Sequence, residues 1–262
     1  MYKLQNELTP EVEDYDVTVR KADLKQDIKS FISYAIGCTF GRYSLDKEGL
    51  VYAGGDFNPS LYKTFPADKD NILPVLPGSY YEDDIVSRFI AFVQITFGEG
   101  TLSENLEFVA DAIGRKKGET AKETLRRYFI NDFCKDHVQT YKKRPIYWFF
   151  TSGKEKAFNC LIYMHRYDKT TLSRIRTDYL HEYQIRLEAE KKDLLNIIEG
   201  DSTAKEISNA KKELKSLDKK IEELKAYDEL LHHMADMLIK IDLDDGIKVN
   251  YEKFKGLVAK IN

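Results

Sequence analysis

The stretch RPIYWFFTSGKEKAFNCLIYMHRY, residues 144–167, decides the fold. Two runs rich in aromatic and branched side chains, RPIYWFF and KAFNCLIYMHRY, flank TSGKE, which carries the glycine that turns favour. Each run reads as a core strand. They form either a hairpin joined at TSGKE or two separated strands. Just upstream, Lys142, Lys143 and Arg144 make a run of three consecutive cations. Pro145 biases Arg144 towards extended backbone, so the triplet should end any preceding helix and stand as a loop. The apolar run after it then anchors that loop in the core.

The triplet sits in a basic third of an acidic chain. Residues 115–186 hold 17 Lys and Arg against 8 Asp and Glu, whereas residues 1–114 carry a net −9 and the whole chain −3. Charge segregated in this way makes the middle third the candidate electrostatic footprint. Within it cations alternate with rings: RKK at 115–117, RRYF at 126–129, YKKRPIYW at 141–148, HRY at 165–167 and RIRTDY at 174–179. Lysine and arginine neutralise phosphates whatever the base sequence, arginine can also read guanine, and rings can stack on exposed bases. The candidate DNA-binding residues are therefore Lys142, Lys143, Arg144, Arg126 and Arg127, followed by Lys116, Lys117, Arg166, Arg174 and Arg176.

Around this centre the pattern is mostly helical. The first twenty residues, with EVEDYD, form an entry segment with no core pattern. Leu24, Ile28, Phe31, Ile32 and Ala35 recur at helical spacing, with Gly37 as the terminator. Residues 50–53 read as a short strand, and Pro59, Pro66, Pro74 and Pro77 make residues 56–79 a long irregular connection. Helical patterns follow in YYEDDIVSRFIAFVQITFG, with its acids in the first turn, then from Leu102 to Gly114, then from Thr120. The last of these should carry Leu125, Phe129, Phe133 and Val138 inward and Arg126, Arg127 and Lys135 outward. Further on, Leu172, Ile175, Tyr179, Tyr183, Leu187, Leu194 and Ile198 keep one seam. Ile207, Ala210, Leu214, Leu217, Ile221, Leu224, Leu231 and Leu238 keep another, and EGDST at 199–203 breaks them. Two long helices joined by so short a loop predict an antiparallel hairpin zipped as a coiled coil.

No catalytic or metal-binding constellation emerges. FGEG at 97–100 follows a helical rather than a strand pattern, so it reads as a helix stop and not a phosphate turn. Asn58-Pro59 lacks the second proline and the aromatic of an adenine-gripping loop, having Ser60 and Leu61 there. DLDDG at 242–246 bunches carboxylates but lacks the calcium-ligand ladder, and His232 and His233 point to different helix faces. Cys38, Cys134 and Cys160 are too widely spaced for a zinc site and fit a reducing compartment better than a disulfide framework. No run approaches the length of a membrane span. The expectation is a cytoplasmic protein that does not contact a membrane.

Several longer motifs carry a family resemblance: ISYAIGCTFGRYSLD (32–46), DDIVSRFIAF (83–92), ENLEFVADAIG (104–114), LRRYFINDFCKDHVQTYKKRPIYWFFTSGK (125–154), LIYMHRYDKTTLSRIRTDYLHEYQ (161–184) and LIKIDLDDGIKVNYEKF (238–254). Together they resemble the C-terminal region of PglX, the family of adenine-specific DNA methyltransferases of BREX phage-defence systems. The resemblance implies that S-adenosylmethionine and the target adenine are held by a catalytic domain upstream of these residues. No catalytic or cofactor-binding residue is carried over to this chain. It further implies double-stranded DNA, the methyltransferase domain and other defence-system subunits as partners.

The combined expectation is an α+β fold, predominantly helical, with a small β-sheet and a long antiparallel helical hairpin. Three segments are drawn: 1–114, helical with a short strand and a proline-rich loop; 115–168, the DNA-recognition candidate; and 169–262, the hairpin spacer and C-terminal segment. The leading function is DNA recognition for an adenine-N6 methyltransferase that acts through motifs lying elsewhere. The alternative is a helical interaction scaffold in a defence or restriction–modification complex.

Overall fold

The computed structural model describes residues 23–261. The acidic entry segment read from the first twenty residues lies outside them. The fold is α+β and mostly helical, around a three-stranded antiparallel sheet. Its elements are α1 (Leu24–Thr39), β1 (Ile72–Pro74), α2 (Ile85–Phe97), α3 (Leu102–Ala112), α4 (Ala121–Asn131), α5 (Phe133–Thr140), β2 (Tyr147–Thr151) and β3 (Asn159–Tyr163). After these come α6 (Thr171–Arg174), a π-helical turn (Ile175–Leu180), α7 (His181–Glu199), α8 (Ala204–Asp236) and α9 (Ile247–Glu252).

The two apolar runs form a hairpin. Tyr147 faces Tyr163 and Thr151 faces Asn159, with β3 in the centre and β1 on its other side. All five residues of β3 and four of five in β2 are buried, so these strands are covered on both faces. That explains why they read as unbroken apolar runs. The outer edge of β2 is closed by the C-terminal segment: Thr151 N donates to Leu257 O at 2.9 Å and Ala259 N to Phe149 O at 2.9 Å. Trp148 is fully buried, with Tyr251 and Phe254 packed edge-on and tilted against it at 5.6 and 5.3 Å. No strand edge is left to recruit a foreign chain at that side.

Four expectations need correction. Residues 50–53 are not a strand; Val51 and Tyr52 share the single carbonyl of Arg42 and join no ladder. The third strand lies instead in the proline-punctuated connection, at Ile72–Pro74. Asn71 sets it up, exchanging side-chain hydrogen bonds with both the N–H and the C=O of Tyr163 at 3.1 and 3.0 Å. Gly37 does not end α1 but lies inside it. A methyl there would meet the Tyr43 ring at 2.5 Å and the Tyr147 hydroxyl at 3.0 Å, so glycine is what lets both rings approach. The acids before α2 precede its first turn: Asp84 is the N-cap and accepts from Ser87 N at 3.1 Å.

Arg126 is the fourth correction. It points inward, its two terminal nitrogens gripping Asp84 at 2.7 and 2.9 Å and a third bond reaching Leu76 O. Asp84 is 1 % exposed, so this forked pair fastens α4 to the start of α2 and to the chain leaving β1.

The long helices follow their seams with two departures. Leu187 and Leu194 on α7 and Ala210, Leu217, Ile221, Leu224 and Leu231 on α8 are buried, and Gly200 to Thr203 make the turn between them. From the π-helical turn into α7, Ile175, Tyr179, Tyr183 and Leu187 step by four three times. In a regular helix each such step would drift ~40° around the axis. The π-helical turn takes up an extra residue and keeps all four buried. At the other end α8 stops at Asp236, and Leu238, with φ 46° and 48 % exposure, leaves the seam.

The π turn also delivers Tyr179 to a carboxylate cluster. Its hydroxyl lies 2.8 Å from Asp70 and 2.6 Å from Asp83, and one carboxylate oxygen from each of Asp68, Asp70 and Asp83 falls within 4.8 Å of the others. Burial, with Asp70 alongside, raises the Asp68 carboxyl to about 7. A group that folding keeps protonated contributes stability fully below the ordinary carboxylate range and loses it as pH rises through about 7.

Two measurements test these joints. Asp84→Ala strands the buried Arg126 charge and should lower unfolding stability by about 3–5 kcal/mol in denaturant titration. Asp68→Asn should flatten the decline in urea midpoint that wild type shows between pH 5 and pH 8; an unchanged decline would place the titrating group elsewhere.

Candidate nucleic-acid interface

The helix α5 ends where the basic triplet begins. Tyr141 N donates to His137 O, and Lys143 N reaches back to Val138 O at 2.8 Å, a six-to-one bond that closes the last turn. That closure needs left-handed backbone, normally a glycine's place. Here Lys142 and Lys143 adopt it in succession, with φ 50° and 62°. Each costs about 1–2 kcal/mol relative to right-handed backbone. Pro145 and the buried strand beyond it fix the other end of the loop. The side chains of Lys142, Lys143 and Arg144 are exposed and make no ion pair or hydrogen bond among the described residues.

Lys143 also lines a groove of about 570 Å³ between α4, α5, the β2–β3 turn and the C-terminal segment. Ile130, Val138 and Phe149 supply apolar wall; Lys135, Lys143, Lys156 and Lys260 supply charge, and no carboxylate lines it. Lys135 has only a loose, exposed pairing with Asp132 at 3.7 Å, which offsets little. Lys156 donates to Ile130 O and Asn131 Oδ1, and burial followed by the Lys135 charge lowers its proton affinity. A neighbouring hollow shares Thr151, Gly153, Ala259 and Lys260 with this groove and adds Lys154 and Lys255, against the single acid Glu252. The surface beside β2 is thus a continuous lysine field. Glu223 of α8 fixes one margin of it, accepting from Ser152 Oγ and from the N–H groups of Glu155 and Ala157.

The ten candidate cations separate into two sets. Lys142, Lys143, Arg144, Lys116 and Lys117 are exposed and unpaired among the described residues; Lys116 and Lys117 stand in the turn between α3 and α4, outside the groove lining. The other five serve the fold. Besides Arg126, Arg127 pairs with Glu119 at 2.7 Å, holding that carboxyl down at about 2. Arg166 donates to Phe40 O and Lys69 O and lies 3.9 Å over the Phe57 ring. Arg174 binds Asp168 at 2.6 Å, and Arg176 binds Asp228 at 2.8 Å. Nor are the strand rings free to stack on bases: Tyr147, Trp148 and Phe150 are fully buried. Conversely, Lys154, Lys156, Lys255 and Lys260 are not legible as site residues in the sequence. Only the pairing of the C-terminal segment with β2 brings them together, and no local pattern announces it.

No family model matches the chain. It is 48% identical over 256 residues, 97% of its length, to an adenine-specific methyltransferase PglX of Lacticaseibacillus casei (strain Zhang). It is 52% identical over 246 residues, 89% of its length, to the adenine-specific methyltransferase BrxX of Escherichia coli O9:H4 (strain HS). Over nearly its whole length the chain is thus similar to a C-terminal portion of these two proteins. It spans only 21% and 20% of the length of those two relatives.

Neither sequence fragment that suggested an S-adenosylmethionine or adenine loop has the geometry of one. Gly98 closes α2 rather than opening a helix after a strand. Asn58 commits its side-chain oxygen to Ser60 N and Ser60 Oγ, at 3.1 and 2.8 Å, instead of presenting it to a base. No described helix is long and apolar enough to cross a membrane.

The strained loop yields a test that needs no ligand. Lys142→Gly should raise stability by about 1 kcal/mol, because glycine adopts left-handed backbone without strain. Denaturant titration reads it; a loss of stability would mean that the Lys142 side chain holds the loop.

Proposed function

We propose that this chain is a DNA-recognition and spacer portion of a site-specific adenine-N6 DNA methyltransferase of a BREX-type phage-defence system. The observation that carries the reading is the loop of residues 142–144. Two lysines stand in backbone suited to glycine, their side chains bonded to nothing among the described residues, and Lys143 lines a lysine-rich groove. Strain of this kind persists where the side chain is worth more than the conformation. Lysines on such a surface grip phosphate oxygens and release counterions, which positions a duplex without reading its sequence. The relatives' names supply the reaction, methyl transfer to adenine, and the lysine field supplies the hold on the substrate. Binding of S-adenosylmethionine and the transfer itself belong to the remainder of such an enzyme.

The helical hairpin supports the second reading, a docking scaffold. The steps of three and four from Ile207 to Leu224 suit a coiled-coil spacer, with Asp228 at the next core-type position, and Ile185 on α7 stands 70 % exposed. On that reading the hairpin binds the methyltransferase domain or another defence subunit.

Duplex binding measured against salt concentration separates the two. The triple variant K142A/K143A/R144A should weaken binding and lower the log–log salt slope by roughly 0.9 for every phosphate it no longer neutralises. Wild-type affinity and slope in that variant would remove the loop from the interface and leave the scaffold reading.

A further inference from the structure

We infer that Arg144 is a base-reading residue of this chain, meeting the O6 and N7 edge of a guanine in the major groove of the duplex. The inference rests on the DNA-recognition reading and adds what the lysines do not supply, a contact that depends on sequence. Lysines on phosphates hold every duplex alike. Discrimination needs a pair of donors in fixed geometry at a base edge. Guanine alone shows two acceptors side by side in the major groove, whereas adenine sets a donor beside its acceptor. The flat fork of a guanidinium matches that edge with two N–H groups; an ammonium group is a point charge and does not.

The fold takes up every other arginine among the described residues. Arg126, Arg127, Arg174 and Arg176 meet carboxylates, and Arg166 meets backbone carbonyls. Arg42 donates to the hydroxyls of Tyr43 and Tyr163, at 3.2 and 3.1 Å. Arg88 donates to Pro66 O and lies 4.5 Å over the Phe65 ring. Arg115 and Arg186 each bind an acid four residues before them. Only the guanidinium of Arg144 has no hydrogen bond, no ion pair and no ring beneath it among the described residues, and it is exposed.

The backbone under Arg144 is held on both sides. Its N–H donates to Tyr141 O at 2.9 Å, closing a tight turn whose two central residues, Lys142 and Lys143, both have positive φ. On the other side Pro145 is buried, and its carbonyl accepts from Trp148 Nε1 at 3.0 Å, within the fully buried strand. The main chain of Arg144 is therefore fixed between a helix end and the core, while its side chain stands in water. Such placement is what a two-bond contact to a base edge requires, since less freedom is lost when the contact forms. Lys142 and Lys143, next to it in the turn, take phosphates of the backbone and set the register in which Arg144 meets the base pair.

Binding of the full chain to a pool of duplexes with randomised base pairs tests the assignment. Wild type should prefer guanine at one position by about fivefold to a hundredfold, and Arg144→Ala should lose that preference at an unchanged thermal midpoint. Arg144→Lys should keep the affinity for unselected duplex yet lose most of the preference. Lys142→Ala should instead weaken all sequences alike and lower the salt slope by about 0.9. Replacing the preferred guanine by 7-deazaguanine, which lacks N7, should weaken wild type on the order of tenfold and leave Arg144→Ala unaffected. Duplex binding by wild type with no guanine preference, or an equal loss across all sequences in Arg144→Ala, would overturn the inference and leave the lysine loop as a phosphate grip. Absence of any salt-sensitive duplex binding by wild type would overturn the DNA-recognition reading and this inference with it.

Discussion

The constraint on which the rest of the structure depends is the burial of β2 on both faces and along its outer edge. Its side chains fill the core, and its backbone is paired on one side with β3 and on the other with residues 257–259. A strand enclosed in this way has no freedom to slip by one residue, since a slip would exchange its two faces. Whatever is attached to its ends is therefore fixed in space. The basic loop is attached to one end through Pro145, and the turn bearing Lys154 and Lys156 to the other. A lysine field on mobile chain would lose more conformational entropy on meeting a phosphate backbone; this one is largely ordered beforehand.

The division among the cations has a chemical cause. Of the ten singled out by their position in the sequence, all five that serve the fold are arginines, and four of the five left free are lysines. A guanidinium is flat and weakly hydrated and presents a fork of donors, so it can enter a partly dry junction and satisfy a carboxylate and carbonyls together, as Arg126 does. An ammonium group is a compact, strongly hydrated charge that stays in water. Counting charge along the chain finds the basic region but weighs the two residue types equally, and half of the apparent footprint is consumed internally. Arg144 is the exception, held out by the proline after it.

Legibility follows the length of each pattern. The hairpin strands and the two long helices are readable because each buries a periodic or continuous apolar face, and the break at 199–203 falls where the capping box of Thr203 and Glu206 begins α8. The short strand β1 is not readable, because its three residues are chosen by the pairing surface of β3, far along the chain, to which the amide of the neighbouring Asn71 is bonded. The lysine groove is invisible for the same reason. Its charges come from α5, a hairpin turn and the C-terminal segment, and sequence neighbourhood carries no record of that meeting.

The helix α5 links these features. One side of its eight residues, with Phe133, Asp136 and His137, walls an aromatic-lined hollow beside α1, while Cys134, Lys135 and Val138 wall the lysine groove. Gln139 belongs to both, and the basic loop is the helix's own C-terminal closure. The negative end of the helix dipole lies under Lys142 and Lys143 and favours their charge there. His137 ties the helix to the amides of Ile146 and Tyr147 at the start of the buried strand, so the loop between α5 and β2 is anchored at both ends by the same side chain and the same core.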